Sequence, residues 1–586
     1  MIYPFSSVIY LKKAKLSQKS TNFAAEIGNV PRNVETMKHY LNYIEASIKR
    51  NWANEALSNY GKNSYSYAQV AVQIERLHIA MFLAGIEPGD KVVLCAKNSA
   101  QWGIAFLAAV TYDAVAVPLL NEFLPASVQS LTDHSDATVL FTDAAMWREL
   151  DVAAMPKLKA AFNIQDFAPL FLADSQEEAD SFSKHIDTVF ATRFPKGLKP
   201  ENVSYPTGSL DELEIINYTS GTTSTPKGVM LSARAVSSNM EFALENMPSA
   251  PGETILSMLP MAHMYGLAFE FLFPFTSGNH IYFLGKTPTP SILIKALADV
   301  KPYMLITVPL VIEKIFKSKV FPMLDKPSTR YLMRIPMARR IVLGKVRERL
   351  LRTFGGQLHG GLIVGGAAIN EKVELLLHRM HFPYTVGYGM TECAPLICYA
   401  SAHSFVPRSS GRIVDRMELR VDSADATREA GEISVRGDCV MMGYYKNAAA
   451  TRAVLDADGW MRTGDIGTVD AGGNLFIRGR SKNMILGASG QNIYPEEIED
   501  KLNANPLVTE SIVVSRSGKL VAMVVLDAEG VKALEANGRT VESALIDLQA
   551  QVNAQLPAYS RIGRTEVQEE PFEKTPKKSI KRFLYN

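Results

Sequence analysis

The chain reads as an α/β protein: a large N-terminal domain of two doubly wound sheets with a small β-barrel-like subdomain, then a small α+β C-terminal domain. Three observations predict it. Short buried apolar runs at Lys91–Cys95, Val115–Pro118 and Thr138–Thr142 alternate with helical patterns, which implies a parallel sheet covered on both faces. The alternation resumes with strands Glu253–Met258, His280–Leu284 and Met304–Val308 around a helix at Pro290–Val300. From about Ser409 to Gly479 the texture changes to short strands, Gly431–Val435 and Asn474–Ile477 among them, between Gly/Asp turns.

In order along the chain, residues 1–35 read as a tail. Lys12, Lys13, Lys15 and Lys19 precede any acid, and there is no continuous apolar run or small-residue cleavage site of a secretory signal. A helix is expected over Met37–Ser58, a turn at Tyr60–Asn63 and a second helix over Tyr67–Gly85. Gly89-Asp90 then opens the first buried strand. Gly103–Leu120, the most apolar stretch, is interrupted by Asp113 and Pro118 and reads as a helix then a strand, because a membrane span needs ~20 mostly apolar residues. Residues 36–480 form the large domain, with its β-rich part at about 409–480. Residues 481–586 form the small one, with a helix near Pro495–Asn503, strands at Glu510–Val514 and Leu520–Leu526, and a helix over Val541–Gln555.

The 586 residues carry 62 basic and 60 acidic side chains, a net charge of +2, so no overall field recruits nucleic acid or an anionic membrane and partners must be recognised locally. Cys95, Cys393, Cys398 and Cys439 show no paired Cys-x-x-Cys spacing, which argues against zinc and for a reducing, cytoplasmic setting. Peripheral contact at the inner membrane face and a homodimer are left open.

Tyr218–Gly228 reads Tyr-Thr-Ser-Gly-Thr-Thr-Ser-Thr-Pro-Lys-Gly, set between apolar Leu213–Ile216 and Val229–Leu231. Gly221 and Gly228 let the backbone turn close to a ligand, while Ser220, Thr222, Thr223, Ser224 and Thr225 offer neutral donors and Lys227 a compact positive charge. This composition suits a polyphosphate. It is not a Walker loop, because Pro226 stands in the second glycine's place and Gly228 where a magnesium-binding hydroxyl belongs.

Five further motifs follow it: Leu259-Pro-Met-Ala-His-Met-Tyr-Gly266, Gly365-Gly-Ala-Ala368, Gly387-Tyr-Gly-Met-Thr-Glu392, Trp460-Met-Arg-Thr-Gly-Asp465 and Gly479-Arg-Ser-Lys482. In order and spacing they resemble the adenylate-forming superfamily, and most of all its bacterial long-chain fatty acyl-CoA ligases, over nearly the whole chain after residue 35. The resemblance implies ATP, Mg²⁺ and CoA as cofactors. It implies phosphate contacts from Thr219, Ser220, Gly221, Thr222, Thr223 and Lys227, and a metal-binding Glu392 beside Thr391 at the α-phosphate. Tyr388 with Gly366 and Ala367 would border the adenine, and Asp465 and Arg480 the ribose. His263, Gly387 and Gly389 would line the acyl side. Lys482 takes the place of a hinge to a mobile C-terminal domain.

The family's C-terminal Gly-Lys-[Ile/Leu]-x-Arg pattern is displaced. Here Lys574-Thr-Pro-Lys-Lys-Ser-Ile-Lys-Arg582 puts Ser579 in the lysine's place, leaving Lys578 or Lys577 as the catalytic candidate. The expected reaction is activation of a medium- or long-chain fatty acid to acyl-AMP, then thioester formation with CoA. Two alternatives stay open: transfer to a carrier-protein phosphopantetheine, and a catalytically silent acyl- or nucleotide-binding module. No Gly-x-Ser-x-Gly elbow or zinc helix supports a hydrolase.

Overall fold

An eight-stranded sheet frames the molecule, in the order Gly443–Tyr444, Lys227–Ser232, Leu213–Thr219, Val115–Leu119, Lys91–Cys95, Ala137–Thr142, Ala160–Asn163 and Pro169–Leu172. Its centre is parallel, with Lys91–Cys95 paired to the strands on both sides. Every residue of Val115–Leu119 and Ala137–Thr142 is buried, as the unbroken apolar runs require of strands covered on both faces. Helix Ala100–Thr111 is buried everywhere but Gln101, so it is sandwiched within the protein.

The computed structural model describes residues 37–173, 179–219, 226–247, 249–286, 288–486, 491–516, 518–574 and 580–585. The chain divides into two units, residues 1–35 and 36–586, and all the described elements belong to the second.

A second layer of strands runs Thr254–Ser257, His280–Phe283, Glu55–Asn59, Ser64–Ser66, the first three parallel. Parallel strands Met304–Thr307, Gly361–Val364 and Tyr384–Val386 form a further sheet, tied to the previous one where Tyr303 donates its N–H to Thr254 O at 3.1 Å. One expectation is corrected here. The first helix covers only Tyr40–Arg50, and Glu55–Asn59 is a strand. Asn51 closes the helix by donating its backbone N–H and its side-chain amide to Ser47 O, and Leu57–Asn59 then pairs with Ile281–Phe283. The helical propensity of Glu-Ala-Leu is overridden by a partner strand far along the chain.

Strands Met417–Asp422, Gly431–Gly437, Met461–Val469 and Leu475–Arg480 form an antiparallel sheet in that order. Gly443–Tyr444 leaves this region to pair with Val229–Met230 on the edge of the eight-stranded sheet. The β-rich stretch is thereby stitched to the strand that follows the phosphate-type loop.

At the C-terminus, helices Pro495–Asn503 and Val541–Asn553 accompany a sheet of Val508–Arg516, Lys519–Leu526 and Ile562–Val567. Ile498, Leu502, Val513, Leu548 and Ile562 belong to an apolar core of its own. Ion pairs Arg408–Asp500 (2.8 Å) and Lys317–Asp527 (3.0 Å) join it to the preceding elements. Among the described residues no helix is long and apolar enough to cross a membrane.

Candidate nucleotide and acyl site

Asp465 sits on strand Met461–Val469 directly opposite Arg480 on Leu475–Arg480. Its Oδ1 meets Arg480 Nε at 2.8 Å, and its Oδ2 accepts the Tyr388 phenol at 2.5 Å. The carboxylate is 5% exposed and the arginine 53%, so the acid is buried beneath a guanidinium that faces solvent. Burial pushes the Asp465 carboxyl up, while Arg480 and Tyr388 pull it back. Burial, followed by the charge of Asp465, pushes the Tyr388 phenol well above its ordinary range, which keeps it a donor. Thr463 Oγ1 donates to Ile433 O (2.8 Å) and accepts the Asp465 N–H (3.1 Å), fixing the turn that aims the acid.

Tyr388 belongs to a hairpin with Leu396–Tyr399. A Cβ on Gly389 would fall 2.1 Å from Pro395 O, so this glycine is required by the close approach of the two strands. Gly387 anchors the hairpin by donating its N–H to Val364 O at 2.9 Å. The turn Thr391–Cys393 follows and presents Glu392, whose Oε1 accepts the Tyr444 phenol at 2.9 Å. Lys227 Nζ lies 4.7 Å from the Tyr444 ring centroid, a cation–π contact. Tyr444 thus links the lysine and the carboxylate that the motifs single out separately. Lys227 is opposite Thr219 at the loop end of a hairpin, with Thr219 Oγ1 3.5 Å from Lys227 O. Ser220, Gly221, Thr222 and Thr223, with Ser224 and Thr225, lie between these two paired ends and outside the described residues.

A third group lies at the ends of Met304–Thr307 and Gly361–Val364. Gly365 donates its N–H to Thr307 O at 3.0 Å, and a Cβ there would fall 2.9 Å from the Tyr265 ring, so the bare backbone admits that ring. Tyr265 OH reaches Thr307 O (3.3 Å) and Ile363 O (3.4 Å). Gly366 and Ala367 are exposed beyond it. His263, half-buried, starts the helical turn Met264–Gly266 and donates its backbone N–H to Pro260 O at 3.0 Å.

The loop before His263 is pinned from three sides. Asn98 donates to Leu259 O (2.6 Å) and accepts from Met261 N (3.0 Å), and Asn217 donates to Ala262 O (2.9 Å). Fully buried Glu270 accepts the N–H groups of Met258 (2.9 Å) and Leu259 (2.8 Å), and burial pushes its carboxyl up to about 8. Asn217 stands on strand Leu213–Thr219, so that strand and the histidine motif are tied directly together.

Asp465, Arg480, Tyr388, Glu392 and Lys227 are therefore joined through one turn and one tyrosine. Thr391 is half-buried beside Glu392. Lys482 is exposed in the turn Ser481–Asn483, next to Asn483, which donates to Glu496 at 2.6 Å. Lys578 and Lys577 lie outside the described residues. The residues flanking them, Lys574 and Ile580, pair as an antiparallel bridge. Lys574 pairs with Glu510, and Arg582 with buried Glu499, so the described part of this basic tail is engaged by acids. Burial, opposed by Arg582, raises the Glu499 carboxyl to about 7.

Tyr444, Asn98, Asn217 and Glu270 were not singled out by motif. Glu270 had a signal, a lone carboxylate in the apolar run Leu-Ala-Phe-Glu-Phe-Leu-Phe. Tyr444 and the two asparagines had none short of the strand pairing.

Residues 44–445 match the AMP-binding enzyme family, and residues 482–585 match the AMP-binding enzyme C-terminal domain. The chain belongs to the AMP-binding enzyme family. Over 511 residues it is 27% identical to long-chain-fatty-acid–CoA ligase FadD15 of Mycobacterium bovis, covering 82% of this chain and 80% of the relative. It is 28% identical to the peroxisomal long chain acyl-CoA synthetase 6 of Arabidopsis thaliana, over 77% of this chain and 67% of that one. The fold superposes on anthranilate CoA ligase AuaEII in complex with anthranoyl-AMP, with a TM-score of 0.75 at 19% identity over 94% of this chain and 96% of that one. The o-succinylbenzoate CoA synthetase of Bacillus subtilis gives 0.70 at 18% identity, over 93% and 98%. At these identities the two structures speak for the fold.

Proposed function

We propose that the chain activates a medium- or long-chain fatty acid with ATP, forming acyl-AMP and pyrophosphate, and then passes the acyl group to the thiol of CoA, releasing AMP. The observation that carries this reading is the buried Asp465 carboxylate between Tyr388 and Arg480, one turn away from the Glu392–Tyr444–Lys227 chain. The names of the relatives support a fatty acid as the substrate.

A carboxylate attacking the α-phosphate brings anion onto anion, so the site must hold the atoms in line and neutralise charge. Lys227, with Thr219, Ser220, Gly221, Thr222 and Thr223, is assigned to the phosphates and Thr391 to the α-phosphate. A magnesium ion bound with the nucleotide would supply charge neutralisation. Glu392 fits it as a ligand, because only one of its oxygens is taken by Tyr444 and magnesium is commonly held by one or two carboxylates plus phosphates. Asp465 keeps acceptor capacity for ribose hydroxyls, since a carboxylate has about four lone-pair sites and two are used. Arg480 is its solvent-facing cover. Gly366, Ala367 and the Tyr388 ring are assigned to the adenine, and His263, Gly387 and Gly389 to the acyl side. Lys578 is assigned to the reacting phosphate, on a C-terminal body, 481–586, that turns about Lys482.

The test is AMP release across a panel of carboxylic acids, with CoA present, absent, or replaced by a holo-carrier protein. The proposal expects release with medium- or long-chain fatty acids and thioester only with CoA. Thioester on the carrier alone, or no release with any acid, overturns it.

A further inference from the structure

Outside the site, one surface departs from the composition of the rest. Residues 314–352 hold 12 Lys and Arg against two acids, Asp325 and Glu348, in a chain whose whole net charge is +2. The same stretch and its approach expose large apolar side chains that a soluble face ordinarily buries: Leu310, Tyr331 (66% exposed), Leu332, Ile335, Met337 (81%) and Ile341. Helix Pro336–Thr353 buries Leu343, Val346 and Leu350 on its inner face. Met337 and Ile341, one turn apart, project from the other side beside Lys345. Among the described residues, Arg334, Arg339, Arg340 and Lys345 have no ion-pair partner within 4 Å. A structural surface would pair these cations or bury these side chains. This one does neither.

We infer that the face formed by residues 327–345 docks on an anionic lipid bilayer, with Met337, Ile341 and Tyr331 entering the headgroup boundary and Arg334, Arg340 and Lys345 meeting lipid phosphates. Mixed apolar and cationic side chains on one face are what an interfacial helix needs, and each Lys or Arg near such a surface adds attraction that salt removes. A second copy of this chain fits worse, because two such faces would bring like charge together. The placement also connects to the site. Pro309–Ile315 leaves strand Met304–Thr307 at the residue whose carbonyl receives Gly365 and Tyr265, so the docking face grows out of the wall assigned to the acyl side. The docking itself does not depend on which acid is activated.

Flotation of the full chain with vesicles tests it. Vesicles of phosphatidylcholine and phosphatidylglycerol in equal parts should carry the protein up the gradient, phosphatidylcholine alone should not, and salt should release it. The triple variant Arg334→Gln/Arg340→Gln/Lys345→Gln should weaken partitioning by about 100-fold, from roughly fivefold per charge. Met337→Ser/Ile341→Ser should weaken it while leaving circular dichroism unchanged. No binding of the wild-type chain to anionic vesicles, equal binding to neutral ones, or a triple variant that binds as wild type overturns the inference. So does either rival outcome with vesicle binding unaffected: a dimer abolished by Met337→Ser/Ile341→Ser, or duplex DNA retention abolished by the triple variant.

Discussion

Asp465 is 5% exposed and bonded on both oxygens, and Glu270 is buried completely with two backbone donors. The contacts that tie the C-terminal body to the rest are of another kind. Lys317–Asp527 is 48% and 27% exposed, Lys501–Glu371 spans 4.0 Å, and Arg408–Asp500, the best covered of the three, is still 38% and 18% exposed. Partly exposed ion pairs of this sort contribute about 0–1 kcal/mol each, whereas an acid fixed by buried hydrogen bonds cannot lose a partner cheaply. The difference teaches where rigidity is placed: in the acids that fix the walls assigned to the nucleotide and the acyl group, and not in the seam that would let one body re-dock on another.

The largest expected effect comes from breaking the rigid side. Asp465→Ala removes the carboxylate assigned to the ribose hydroxyls together with the acceptor of Tyr388 and Arg480, and kcat/KM for ATP should fall by at least about 100-fold, since two hydrogen bonds to a charged group are worth about 3 kcal/mol or more. Steady-state kinetics at varied ATP checks this, and unchanged kinetics would remove Asp465 from the site.

Glu270 gives the next effect, in stability. Its carboxyl, raised from 4.5 to about 8 by burial, holds a proton in the folded chain where the unfolded chain has lost it. Stability from this group is complete below 4.5 and is lost as pH rises to about 8, and Glu499, raised to about 7, acts in the same direction. Glu270→Gln keeps an oxygen for Met258 and Leu259 but cannot ionise. Thermal unfolding followed across that range should therefore be flatter in the variant, by on the order of a few kcal/mol.

Much of this was legible in advance. Pro290–Val300 and Pro495–Asn503 begin with proline at the first helical position, and Lys91–Cys95 carries the apolar run Val92–Cys95 straight after Gly-Asp-Lys, so local chemistry sufficed for their bounds. Glu55–Asn59 was not legible, because its residues favour helix and its partner lies at Ile281–Phe283. In the site, the motif residues could be named singly, yet their connection runs through Tyr444, which reaches Glu392 only because Gly443–Tyr444 pairs with Val229–Met230. Such a contact depends on topology and leaves no periodic trace in the sequence.

Smaller effects sharpen the comparison. Lys227→Ala should cost about 10-fold in kcat/KM for ATP, from loss of one phosphate contact, and Lys227→Arg should recover part of it, checked in the same assay. Lys317→Ala, on the exposed seam, should change unfolding free energy by less than ~1 kcal/mol in denaturant titrations. A loss several times larger would mean that the seam is as rigid as the site.

The central claim is that a fixed nucleotide face is served by a body that turns about Lys482. Proline at that position would hold φ and restrict Ser481, now in a tight helical turn, to extended backbone. Lys482→Pro, assayed with an acid that supports AMP release, should retain ATP–pyrophosphate exchange and lose CoA thioester formation. Equal loss of both half-reactions, or full retention of both, would contradict it.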